Sequence, residues 1–219
     1  MRGSLSFLAG TPIGHYRVAV ATGLTAGLAA NAPIISVRWG GTGFVRPLIT
    51  RIELLGTIVT PFTGAQEITV AATIARSWSA ADTGGTAITL TGVNNVQNSL
   101  ADVASSATIN AATTTALTPG TRTLDANPIM YATAAQTLAA ASANPLSVYD
   151  IFELNSADSQ FAFNLQNNVT PTVGGDSHPE GLVITVPVAQ GAGGTVRYVL
   201  EMEWIEYGYG PGTVPGAIA

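Results

Sequence analysis

The sequence predicts an all-β protein, a jelly-roll-like β-sandwich with an extended N-terminal arm and a C-terminal tail. Three observations lead there. Apolar and polar residues alternate with a period of two over several segments, the pattern of half-buried strands. Gly- and Pro-containing turns separate short apolar runs, and strands do not alternate regularly with helices, which sets aside a parallel α/β sheet. The length, 219 residues, suits one all-β domain.

Residues 1–33 read as the arm. Gly10, Pro12 and Gly14 punctuate it, and a small-residue run over 19–32 follows. Within it Leu5, Phe7, Leu8, Ile13, Tyr16 and Arg17 are the expected partner-binding residues, since an apolar chain broken by Gly and Pro can lay a strand along a neighbour's sheet edge. The body spans 34–207. Its first firm strand is expected at 34–39, stopped by Gly40 and Gly41. In 48–59, Leu48, Ile52, Leu54 and Ile58 share one parity, while Arg51, Glu53 and Thr57 share the other. Residues 67–78 continue the alternation, with Ile68, Val70, Ala72, Ile74 and Trp78 on one side; the alanines leave a helix as the alternative. Asp82-Thr83-Gly84-Gly85 forms a turn before a short strand at 86–90. Residues 92–128 are polar and Ala/Thr-rich, with turns at Pro119-Gly120 and Asn127-Pro128. Residues 131–143, bracketed by Pro128 and Pro145, are the one helix candidate on alanine propensity, an ordered loop being the alternative. Residues 147–154 and 160–165 read as paired strands, and 182–188 alternates again. The strongest strand is 195–207: Val196, Tyr198, Leu200, Met202 and Trp204 point one way, Arg197, Glu201 and Glu203 the other. A Gly/Pro-rich tail, 208–219, ends the sequence. The tryptophans Trp39, Trp78 and Trp204 each fall on the apolar parity of a strand, so they are expected in the core.

Composition narrows the chemistry. All 8 basic residues are Arg, against 13 acidic residues, for a net charge of −5. Without Lys there is no phosphate-loop or Schiff-base lysine. Without Cys there is no thiol nucleophile, disulfide framework or Cys zinc site. An acidic chain with scattered Arg is a poor nucleic-acid binder, because phosphate neutralisation dominates that affinity. Charged residues make up only 10%, against about 25% in an ordinary domain. Assembly interfaces deplete charge at their centres, so the composition points to a subunit packed against neighbours. The twenty uncharged residues 18–37 match a membrane span in length only, being interrupted by Thr22, Gly23, Asn31 and Pro33. Ala30-Asn31-Ala32 mimics a signal-peptide cleavage site, but Pro33 would follow the cut, and secretion is not expected.

The search for a catalytic set gives little. Asp176-Ser177-His178 places three triad residue types side by side, but beside Gly174, Gly175 and Pro179 it reads as a polar turn. Glu201 and Glu203 share a strand face with Arg197, the pattern of a solvated or ion-paired surface. Asn168-Val169-Thr170 is a glycosylation acceptor pattern of no consequence without secretion. No cofactor, metal or catalytic residue is expected.

Several segments stand in a recognisable order: Ser36-Val37-Arg38-Trp39, Ala75-Arg76-Ser77-Trp78, Asp82-Thr83-Gly84-Gly85-Thr86-Ala87, Leu90-Thr91-Gly92, Leu117-Thr118-Pro119-Gly120-Thr121-Arg122-Thr123-Leu124-Asp125, Pro179-Glu180-Gly181-Leu182, Gly193-Gly194-Thr195 and Trp204-Ile205-Glu206. Together, over roughly 34–207, they resemble a class of tailed-bacteriophage virion structural proteins. The resemblance implies a jelly-roll-like subunit of the head decoration or cement type, located on the virion and assembled in the host cytoplasm. Its partners would be the major capsid protein or other virion subunits and further copies of itself, with a homotrimer expected, and neither nucleic acid nor membrane. The alternative is a receptor- or carbohydrate-binding β-sandwich of a tail or cell surface, for which Tyr207 and Tyr209 are the candidate stacking residues.

Overall fold

The computed structural model describes residues 11–39, 45–90, 97–99, 105–136, 147–154 and 180–208. Among these there is no helix. The strands are β1 (Thr11–Ala21), β2 (Ala32–Trp39), β3 (Val45–Thr60), β4 (Gln66–Arg76), β5 (Thr86–Ile88), β6 (Gln97–Ser99), β7 (Ala107–Ala111), β8 (Thr123–Leu124), β9 (Met130–Gln136), β10 (Ser147–Leu154), β11 (Glu180–Val186) and β12 (Thr195–Gly208).

They form two antiparallel sheets. One has the order β10-β3-β12-β1-β6; the other has β5-β7-β2-β11-β4-β8, with β9 also pairing β4. Leaving out β5 to β8, the remaining eight strands pair first with last, last with third and third with sixth in one sheet. In the other they pair second with seventh, seventh with fourth and fourth with fifth. That is the jelly-roll order, two Greek keys folded over one core. The excursion between β4 and β9 supplies the extra strands, extending the first sheet beyond β1 and the second beyond β2.

Period-two alternation decides which side chains face inward. On β12, Val196, Tyr198, Leu200, Met202 and Trp204 are all buried. On β1 the buried set is Tyr16, Val18 and Val20, with Arg17, Ala19 and Ala21 exposed between them. On β3 the register with β12 shifts so that Trp204 pairs Ile49 and Glu203 pairs Arg51, leaving Thr50 as a bulge. The bulge re-aims the strand, so Ile49 joins Ile52, Leu54 and Ile58 in the core. Within the first sheet Tyr16 stacks on its cross-strand neighbour Trp204 at 5.5 Å, and Trp39 of the opposite sheet meets Trp204 edge-on at 6.3 Å, bridging the layers.

Three expectations need correction. Residues 11–33 are not an arm: β1 lies inside its sheet, paired to β12 along its length and to β6 on the other side, and Leu28 and Ala32 are also buried. Pro12 and Gly14 do not break the element, because they sit at a register shift, where an extra residue is tolerated. Gly14 is required there, since a Cβ would run into the Tyr16 ring. The helix candidate at 131–143 is β strand as far as Gln136, since seven consecutive pairings with β4 outweigh alanine propensity. Trp78 does not extend β4. The strand ends at Arg76, Ser77 takes a left-handed turn (φ 51°), and Trp78 folds over the outer face of the second sheet. There it packs with Ala75 and Val183, which alternate away from the main core. The expected strand at 160–165, the stop at Gly40 and Gly41, the tail after Gly208 and the Asp176-Ser177-His178 and Asn168-Val169-Thr170 motifs lie outside the described residues.

Candidate functional site

The structure separates the expected partner-binding residues. Leu5, Phe7 and Leu8 lie outside the described residues. Ile13 falls at the register shift of β1. Tyr16 is wholly buried in the core, whereas Arg17, next in sequence, stands on the outer face of the first sheet. Of the expected core residues, Trp39 and Trp204 lie between the sheets and Trp78 lies behind the second sheet, all buried. Tyr207 lies on β12 and Tyr209 lies outside the described residues.

The outer face of the first sheet carries a charged ladder. His15 Nε2 hydrogen-bonds Glu203 at 2.5 Å, and Arg17 Nη2 reaches Glu201 at 3.4 Å. Arg51 on β3 pairs with Glu53 and also approaches Glu201 at 3.6 Å. Each β1 side chain reaches diagonally, since the register sets Arg17 opposite Glu203 and Ala19 opposite Glu201. The paired carboxylates Glu201 and Glu203 are thus engaged by cationic or imidazole partners on an open sheet. Partly exposed pairs of this kind contribute about 0–1 kcal/mol each, so their main consequence is a neutralised surface.

Four further charged groups, Glu206, Asp82, Arg122 and Glu180, are taken inward. Glu206 falls on the apolar parity of β12 and is 1% exposed. Its carboxylate accepts from Ser105 Oγ (2.5 Å), the Ser106 backbone N–H (3.2 Å), Ser106 Oγ (3.1 Å) and Trp204 Nε1 (3.1 Å). Burial, reinforced by the Glu206 charge, pushes the Tyr16 phenol up to about 12. Behind the second sheet, Arg122 and Asp82 form a buried ion pair. The Gly120 N–H donates to Asp82 Oδ1 at 2.8 Å, and the guanidinium sits 4.7 Å from the Trp78 ring centre. Desolvation pulls Arg122 down to about 10, still charged at neutral pH. At the same end of the second sheet the Arg76 fork grips Asp125 at 2.7 and 2.9 Å and reaches Glu180 at 3.5 Å. Burial raises the Glu180 carboxyl above the usual range, against the opposing pull of Arg76.

Most of the charged side chains described thus find a partner within the chain, although Asp82 Oδ2 and Glu180 Oε2 are buried without a hydrogen bond. Arg38 donates to the Trp78 carbonyl at 3.0 Å, and exposed Glu67 accepts from Thr69 and Thr133. Among the described residues, Glu67 and Arg197 are exposed without an ion pair. The sequence reading missed Asp82 with Arg122, because nothing in a 40-residue separation marks a pair. Glu206 was detectable as a carboxylate on the apolar side of the strongest strand. Among the described residues no group of three His, Cys, Asp or Glu side chains could hold a metal ion, and no helix is long and apolar enough to cross a membrane. No family profile, no curated protein and no solved structure matches the chain.

Proposed function

We propose that this jelly roll is a non-enzymatic structural subunit of a phage particle, a head decoration or cement protein that bridges neighbouring shell subunits. The observation that carries the reading is the internal pairing of charge: a chain already poor in ionic residues pairs Arg17, Arg51, Arg76 and Arg122 with its own carboxylates. Such a surface suits neutral side-by-side packing, in which apolar and threonine contacts seal seams between subunits. The resemblance of residues 34–207 to virion structural proteins supplies the setting. Copies held in a lattice bind by avidity, so contacts weak alone become strong together, and a homotrimer offers three attachment points at once.

The test is co-sedimentation of the full chain with undecorated phage heads at about 0.05 M and about 0.5 M salt, spanning strong and weak screening. Saturable binding that changes less than about threefold across that range supports the reading. Absence of the chain from the shell in a reconstruction of the parent particle, or saturable binding to glycans in place of heads, overturns it.

A further inference from the structure

We propose that Arg197 of one copy pairs with Glu67 of the next, closing three copies into a ring at the end of the sandwich where both residues lie. The proposal deepens the trimer reading above and rests on it for the number of copies; the contact itself belongs to the isolated chain. Of the charged side chains exposed among the described residues, Arg17 and Arg76 pair within the chain, with Glu201 and Asp125, whereas Glu67 and Arg197 do not. The two left over carry opposite charge, and they stand on opposite outer faces. On β12 Arg197 lies between buried Val196 and Tyr198, so it points away from the core on the first sheet. On β4 Glu67 and Thr69 flank Ile68 of the main core, so Glu67 points away from it on the second sheet. Both lie at the same end. Arg197 is in register with Thr57, shortly before β3 ends at Thr60 and turns into β4 at Gln66. Gln66 donates to the Ala189 carbonyl at 3.1 Å and accepts from the Gly191 N–H at 2.8 Å, tying the start of β4 to the turn that leads into β12.

Glu67 is held ready for a cation. Thr69 Oγ1 at 2.7 Å and Thr133 Oγ1 at 3.0 Å both donate to its Oε1 and fix the carboxylate, while Oε2 takes no hydrogen bond among the described residues. Those two hydroxyls hold the carboxyl below its usual range, so it stays ionised. Arg197 brings a guanidinium whose N–H groups match a carboxylate oxygen, and its cross-strand neighbour is Thr57, so each charge is set beside threonine. A second copy is the partner that fits, because one chain supplies both halves of the pair. A two-fold contact uses one patch on both copies; with the halves on opposite faces the contact is head to tail instead. Three is the smallest ring such a contact closes. Placement at one end favours closure over an open filament, since copies can meet around an axis at that end with their bodies splayed outward. Each copy then gives Arg197 to one neighbour and Glu67 to the other.

Charge exchange in the full chain tests this, by sedimentation from about 1 µM to about 1 mM at about 0.15 M salt. Wild-type chain should form a trimer. Arg197→Glu sets two carboxylates face to face and Glu67→Arg two guanidiniums, so each should move trimer formation about tenfold or more to higher concentration. The chain carrying both substitutions restores opposite charges and should return to within about threefold of wild type. Both side chains are exposed, so melting temperatures should stay close to wild type and mark the loss as one of association. Arg197→Glu removes no hydrogen bond within the chain, so its effect stands whatever the loss of the Thr69 and Thr133 bonds does to Glu67→Arg. Wild-type chain that stays dispersed or forms a closed dimer, trimers indifferent to Arg197→Glu, or a double variant no better than Arg197→Glu would each overturn the proposal. Binding to phage heads is scored separately: head binding without solution trimers ends this proposal alone, and trimers that ignore heads end the virion reading alone.

Discussion

Replacing Tyr16 by alanine distinguishes an integral first strand from a dispensable arm. Tyr16 is 0% exposed and stacks on Trp204 with an interplanar angle of 25°. A buried aromatic removes about 150–250 Å² from water, worth roughly 4–6 kcal/mol at about 25 cal/mol per Å², and the stacked pair adds about 0.5–1.5 kcal/mol. Alanine retains part of that burial and the cavity partly relaxes, so the expected loss is about 3–5 kcal/mol. Against a domain stability of about 5–15 kcal/mol this is a large fraction. It lowers the melting temperature by roughly 6–20 °C at about 2–4 °C per kcal/mol. Arg17 provides the internal control. Its side chain is 47% exposed and its contact with Glu201 is 3.4 Å, so Arg17→Ala should cost no more than about 1 kcal/mol. The assay is thermal and urea unfolding of both variants, followed by near-UV dichroism, which reports the aromatic cluster. An arm would leave both variants close to wild type. A Tyr16→Ala loss below about 1 kcal/mol would refute the placement of β1 in the sandwich.

Two further predictions concern the second sheet. Burial raises the Glu180 carboxyl, so the folded chain binds its proton more readily than the unfolded chain, and the charged form weighs against folding. Stability relative to Glu180→Gln should therefore fall as pH rises from the ordinary carboxylate range through the raised value; a difference that grows with pH in favour of the wild type would contradict this. Gly181→Ala would drive a Cβ into the Val37 carbonyl oxygen and to 2.8 Å from the Trp78 ring, so β11 must shift. The expected cost is about 1–3 kcal/mol, with altered Trp fluorescence, and an unperturbed melting curve would show that Trp78 does not cap this face.

By itself the sequence determined the class and much of the strand set. β12 was legible because one face meets the core and the other carries Arg197, Glu201 and Glu203, so the period of two is written in polarity. The turn at Asp82-Thr83-Gly84-Gly85 was legible because Gly84 takes a positive φ of 81°. Where both faces are covered, that contrast disappears: β11 is buried at every position, and its place between β2 and β4 follows only from pairing. Tertiary structure alone decided the status of β1, whose Gly and Pro look like breakers until β12 supplies a register to absorb them. It also decided β9, where alanine favours a helix locally and β4 offers a ladder. The same holds for the face taken by Trp78, set by one left-handed residue, Ser77, and for the meeting of Asp82 with Arg122. Local pattern reports which residues avoid water; which partners they find there is settled by contacts between segments far apart in the chain.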